Sequence, residues 1–198
     1  MWDKTEENIS IPATDMEHYA EHPDVIFVCV KGYSLQETIP FIKRIARKNT
    51  IVIPVLNIYG TGGKMQKELP DLLVTDGCIY VSANIKEPGK LLQHGQILHI
   101  VFGVRDKAEF RPELKEIQKD LCDSHIDGTL SENIRREALE KFSYVSPIGA
   151  AGLYYHATAA DFQKEGEARE LFKTMIKEIA ALAEAMGCLL YTSDAADE

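Results

Sequence analysis

Asp24–Gly63, DVIFVCVKGYSLQETIPFIKRIARKNTIVIPVLNIYGTGG, reads as strand, helix, strand. Asp24–Val30 is an almost unbroken apolar run, with β-branched Val25, Ile26, Val28 and Val30. A run without alternation predicts a parallel strand covered on both faces. Ser34 and Glu37 have capping-box spacing. Leu35, Ile39, Ile42, Ile45 and Ala46 then recur at helical intervals. Thr50–Leu56 reads as the second strand. Its Pro54 predicts an edge position or an interrupted ladder, because proline has no N–H to give. Lys31 and Asn57 stand just beyond the two strands. Ligands of open α/β sheets bind outside the carboxyl ends of the strands, so these two residues are the first site candidates.

Upstream, Ile9–Ile11 reads as a short strand. Thr14 and Glu17 have capping-box spacing for a helical turn through Ala20. Downstream, Lys64–Leu73 reads as a short amphipathic helix interrupted at Pro70. Gly60-Thr61-Gly62-Gly63 follows a strand, and is read either as backbone donors near a phosphate or as a plain surface loop. Cys78–Asn84 reads as a strand and Glu87-Pro88-Gly89 as a turn. Gly89–His94 and Gln96–Gly103 read as an antiparallel pair appended to the sheet. His94 is expected in the hairpin, and His99 as a hydrogen-bonded or exposed residue of a strand.

After Gly103 the pattern becomes helical. Asp106–Cys122 carries Leu114, Ile117 and Leu121 on one side. Ser124–Gly128 is a connector, and Thr129 with Glu132 has capping-box spacing for a helix running through Phe142 and kinked at Pro147. The small residues around Ala150–Ala160 suit close helix contacts. Tyr154, Tyr155 and His156 are expected to fill an interface between domains or to close over a substrate. Glu167–Met186 reads as the final helix. These patterns predict α/β architecture: an incomplete Rossmann-like sheet over residues 1–105, a helical unit over 106–187, and a boundary near Val104–Lys107.

The 198 residues are 45% hydrophobic, enough for one substantial core or two small ones, with formal charge −9. That balance argues against a nucleic-acid or anionic-membrane partner. Cys29, Cys78, Cys122 and Cys188 lack metal-ligand spacing, so a reduced, cytoplasmic protein is expected, with Cys29 a buried thiol. No metal motif appears, and Ser82, Ser143 and Ser146 lack nucleophile-elbow glycines. Lys141 stands one residue from the apolar stripe of its helix. On a helix facing the carboxyl edge of the sheet, such a lysine is placed to protonate a forming alkoxide.

Four stretches resemble the ketopantoate reductase (2-dehydropantoate 2-reductase) family: DVIFVCVKGYSLQ, VLNIYG, NIKEPGKLLQHGQILHIVFG and ENIRREALEKF. The resemblance runs from about Asp24 to Gly187. It implies a Rossmann-like domain followed by a helical domain of the 6-phosphogluconate-dehydrogenase-like type. It also implies NADPH-dependent reduction of 2-dehydropantoate to pantoate, toward pantothenate. Lys141 would be the catalytic lysine, Asn57 the pocket asparagine at the substrate or nicotinamide, and Lys31 the lysine on the cofactor side. A small 2-oxoacid is the implied partner, no metal is implied, and a homodimer is compatible.

Four features depart from the family pattern. Ile58 and Tyr59 separate Asn57 from Gly60, where the family has glycine directly after asparagine. Val145 and Gly149 stand at two asparagine positions of the family, which points to another 2-oxoacid. The family's glycine-rich first βαβ unit and the end of its helical domain are absent. Cys188–Glu198, CLLYTSDAADE, resembles a translated sequencing adaptor. These features lead to the expectation of a fragment. The alternatives are a non-catalytic cofactor-binding or interaction module, or another two-domain dehydrogenase.

Overall fold

The computed structural model describes residues 8–188. The chain forms a Rossmann-like α/β sheet followed by a helical C-terminal part. Strands β1 (Val25–Val28), β2 (Ile51–Pro54) and β3 (Leu73–Val74) form a parallel three-stranded sheet in that order. Helix α1 (Leu35–Ile45) links the first two strands and α2 (Thr61–Glu68) leads into the third. A second three-stranded sheet contains β4 (Asp76–Glu87), β5 (Lys90–Gly103) and β6 (Asp127–Leu130). Here β4 and β5 are antiparallel, and β5 and β6 parallel. Helix α3 (Glu113–Asp123) precedes β6; α4 (Ile134–Tyr155) and α5 (Glu167–Ala185) follow it.

The core follows from the period of two along β2. Val52 packs with Val28, Ile39, Ile42 and Met65, on the side of α1 and α2. Ile51 and Ile53 point the other way, onto Phe102, Leu114 and Ile117. Every residue of β2 is buried. The unbroken apolar run therefore means burial on both faces for β2, but not for β1. At the sheet edge, β1 leaves Phe27 37% exposed and Cys29 on the surface. The expected buried thiol at Cys29 is thus corrected. Pro54 is not on an edge strand. Val55 and Ile51 donate to β1, at Val28 and Asp24, so the alternating residue Pro54 turns its missing N–H toward the β3 side, beyond the last β2–β3 pair at Val74.

Several local readings give way to neighbouring residues. Residues 9–11 form no strand, and Ile9 and Ile11 are exposed. Asp15, not Thr14, caps the turn at 16–18, accepting from the His18 N–H at 2.9 Å. Ser34 makes no capping bond. Thr129 lies in β6, and Asn133 caps α4 by accepting from the Arg136 N–H. Where the sequence suggests a connector, Asp127–Leu130 adds a parallel strand to β5. The Glu87–Gly89 turn forms, with Gly89 at φ +78°, but it joins β4 to β5. Gly89–His94 and Gln96–Gly103 are successive parts of β5 rather than partners. Gly95, at φ +81°, sits where the register slips between the Val81–Leu98 and Ala83–Gln93 pairs. Pro147 lies inside a continuous α4. Tyr154 is largely exposed and its ring packs edge-on to that of Tyr155, centroids 4.9 Å apart, so this cluster covers no interface among the described residues. At the end of α5, Gly187 at φ +66° lets the Cys188 N–H reach Ala183 O at 2.8 Å, the bond that closes a helix through a left-handed glycine. The remainder of the proposed adaptor tail, 189–198, lies outside the described residues.

Gly60–Gly63 is neither a free loop nor an open cradle, because α2 begins at Thr61. A Cβ on Gly62 would lie 2.0 Å from Thr75 O and 2.3 Å from Asp76 Oδ1. The close approach of β3–β4 to α2 explains the glycine. Arg105 reinforces this corner, donating to Val74 O at 2.8 Å while its other nitrogen lies 3.7 Å from Asp76. Gly62→Ala is expected to destabilise the fold by about 1–3 kcal/mol, since the carbonyl cannot move without disturbing the sheet. Urea unfolding checks this; a midpoint within error of the parent would show that the corner relaxes freely.

Candidate functional site

A narrow cleft opens where the carboxyl end of β2 meets α4. Asn57 enters it from the bend after β2, and Lys141 from the second turn of α4. Ala138, Lys141, Phe142 and Val145 line one side at intervals of three and four residues, a single helix face. Leu56, Ile58 and Tyr59 form the facing wall, and Gly77 and Cys78 of β4 the floor. Gly77 is required there, since a Cβ would lie 2.8 Å from Pro54 O. Tyr59 and Phe142 narrow the cleft, their ring centroids 6.5 Å apart.

Lys141 is the charged centre. It is only 8% exposed. Its Nζ donates to the Ile79 carbonyl and lies 4.5 Å from the centroid of the Tyr80 ring. A buried ammonium needs such partners, because desolvation penalises the charged form. Burial holds its pKa below the ordinary lysine value, and Cys78 opposes that shift. Burial pushes the Cys78 thiol up, with the Lys141 charge acting against it. Burial, followed by the charge of Cys78, drives the Tyr80 phenol above its usual range. Tyr80 also stacks on His99, with centroids 5.5 Å apart and planes 20° from parallel. His99 Nε2 lies 3.1 Å from Thr129 Oγ1, as expected for a hydrogen-bonded strand residue. His94 is bonded to Asn84 at 2.7 Å across the ribbon.

Asn57 and Lys141 therefore share one cleft, and Lys31 lies outside it. Lys31 is exposed on the turn after β1, although the next residue, Gly32, faces the Ile58 side chain. The two strand-end loops touch, but Lys31 does not join the lining. Tyr80 and Cys78 were missed in the sequence. Their signal was the i, i+2 alternation of β4, which places both on the face toward α4. Among the described residues, no group of three His, Cys, Asp or Glu side chains is arranged to hold a metal.

The residues fit one end of a dinucleotide better than the other. At the start of α2, Thr75 O, the Asp76 carboxylate and the Arg105 guanidinium crowd Gly62 and leave little room for a phosphate. The carboxyl ends of β1 and β2 carry Lys31 and Asn57, and ligands of open α/β sheets bind outside such ends.

Comparison with known proteins agrees with this architecture. The 2-dehydropantoate 2-reductase of Aquifex aeolicus (strain VF5) is 20% identical over 171 residues, covering 86% of this chain but 55% of that protein. The crystal structure of 2-dehydropantoate 2-reductase from Porphyromonas gingivalis W83 superposes with TM-score 0.77 at 23% identity, over 87% of this chain and 59% of that one. The ternary structure of D-mandelate dehydrogenase with NADH and anilino(oxo)acetate gives TM-score 0.79 at 17% identity, over 92% and 58%. The chain thus spans little more than half the length of these proteins. Residues 3–107 match the family described as ketopantoate reductase PanE/ApbA, and residues 133–198 match its C-terminal part. The chain belongs to the ketopantoate reductase PanE/ApbA family.

Proposed function

We propose that this chain is part of a longer, cytoplasmic reductase that uses NADPH to reduce a 2-oxoacid to the 2-hydroxyacid. The carrying observation is the buried ammonium of Lys141 in one cleft with the amide of Asn57. Reduction of a ketone leaves negative charge on its oxygen, and a preorganised cation in a dry site stabilises that charge. Lys141 Nζ holds the proton that the oxygen takes. Its lowered pKa makes it a better acid near neutrality than an exposed lysine. Asn57 orients the substrate or the nicotinamide through its amide. Lys31 places positive charge on the cofactor side. NADPH, when bound, supplies the hydride; the protein contributes binding, orientation and charge.

The family reaction is reduction of 2-dehydropantoate to pantoate. A second reading, reduction of another 2-oxoacid, is favoured by Val145 in the cleft lining. The division into a cofactor unit and a helical unit near residue 105 belongs to the same proposal, as does a homodimer. NADPH titrated into the longer protein and followed by its fluorescence should bind. Lys31→Ala should weaken that binding about tenfold, the worth of one charge-assisted hydrogen bond. Absence of NADPH binding would favour the interaction-module reading instead.

A further inference from the structure

We infer that Tyr80 is a positioning residue for Lys141: the face of its ring, held by stacking on His99, keeps the Lys141 ammonium protonated and in place beside the cleft floor. Its consequence for turnover rests on the reading of Lys141 as proton donor; the contact itself does not.

Lys141 is buried, yet among the described residues no carboxylate lies within ion-pair distance of it. Two groups compensate its charge instead. The Ile79 carbonyl accepts one of the three ammonium protons, and the Tyr80 ring centroid lies 4.5 Å from Nζ. An aromatic face attracts a cation through its quadrupole, more strongly where water is excluded. That attraction opposes burial, which disfavours the ammonium. For the ring face alone to act, the phenol must be neutral and the ring fixed. Burial supplies the first, keeping the Tyr80 phenol protonated. Strand β5 supplies the second: His99, the cross-strand partner of Tyr80, stacks on it with centroids 5.5 Å apart and planes 20° from parallel. His99 is tied in turn to β6, its Nε2 3.1 Å from Thr129 Oγ1 and its Nδ1 3.9 Å from Asp127. The other titratable groups whose charges reach the ring are Cys78 on β4 and Glu137 and Glu140 on α4.

Acylation of Lys141 by a water-soluble amine reagent, followed by mass spectrometry across pH on the full chain, separates two quantities. The midpoint of the profile reports the lysine pKa, and its plateau reports the access of reagent. Tyr80→Phe keeps the face and should leave the midpoint unchanged. Tyr80→Leu removes the face and should lower the midpoint, leaving Lys141 about 3- to 30-fold more deprotonated at a given pH. Water entering the space would raise the midpoint instead. Stepwise fluorination of the ring in Tyr80→Phe weakens its quadrupole with little change of shape, so each added fluorine should lower the midpoint further. This series decides the matter if Tyr80→Leu does not fold. His99→Ala unfastens the ring and should lower the midpoint by part of the Tyr80→Leu effect. In the longer protein, the high-pH limb of kcat should move with the midpoint. A midpoint that ignores fluorination overturns the inference. So does a midpoint that Tyr80→Phe moves as far as Tyr80→Leu, since the phenol then carries the effect. An unmoved midpoint in His99→Ala overturns the part given to His99. A midpoint that moves while the kcat limb stays supports the hold of Tyr80 on Lys141 and overturns the reading of Lys141 as proton donor.

Discussion

Lys141→Ala is expected to lower NADPH-driven 2-oxoacid reduction in the longer protein about a thousandfold. Loss of a general acid costs about 10²–10⁴ in rate, and loss of one oxyanion donor about 10²–10³. Lys141 would supply both through one nitrogen. Its burial adds a pH signature. As a proton donor it works below its folded pKa, which lies under the ordinary 10.5. The rate should therefore fall as pH rises through that lowered value, and the residual rate of the variant should lack this limb.

Stability should move in the opposite sense. Between the depressed folded pKa and 10.5, the unfolded chain holds a proton that the native chain has lost. Stability from this group is lowest at lower pH and rises with pH across that window. Lys141→Met keeps the hydrocarbon stem, removes the buried charge, and should abolish the rise without lowering the melting temperature. Steady-state kinetics and thermal melts at several pH values check the two halves. Near-normal turnover in Lys141→Met would remove the lysine from the chemistry altogether.

Asn57 was readable as a polar residue at the end of a buried strand, and Lys141 as a cation one residue from an apolar stripe. Local period placed each on its element, but not the two in one cleft, which depends on how α4 packs over β4. The position of Lys31 outside the cleft lining was not legible. It depends on where the β1 turn points once Gly32 packs against Ile58. Likewise, Leu114, Ile117 and Leu121 were readable as a buried face and are buried. Strand β6 was not, since Asp-Gly-Thr-Leu has no run of β-formers and is a strand only because β5 offers it an edge. Glycine gave the most ambiguous signal. Gly89 and Gly95 both have positive φ, yet one turns the chain and the other accommodates a register slip within it. Spacing alone cannot separate these cases. The capping boxes failed similarly: Ser34 has the right neighbour but makes no capping bond, and Thr129 lies in β6 with its hydroxyl on His99.

Phe102→Ala should be the most damaging core substitution, at about 3–5 kcal/mol. Phe102 is fully buried near the carboxyl end of β5. It packs with Ile53 of the first sheet and Leu114 of α3, so one ring joins elements that the backbone ladders leave separate. Its cross-strand partner on β4 is Gly77, which has no side chain to fill the space left behind. A cavity there cannot collapse easily, because Gly77 is itself pinned against Pro54 O. Domains of this size have about 5–15 kcal/mol of total stability, so the loss consumes much of it. Urea unfolding should show the midpoint falling with little change in slope. The effect should reach the cleft as well. Ile79, whose carbonyl accepts from Lys141, packs against this same cluster. Loosening β5 against β4 should free the ammonium, and Lys141 should become more reactive toward amine-acylating reagents than in the parent at the same pH. A loss of stability with unchanged Lys141 reactivity would mean that the two sheets are held in register at the cleft by something other than this ring.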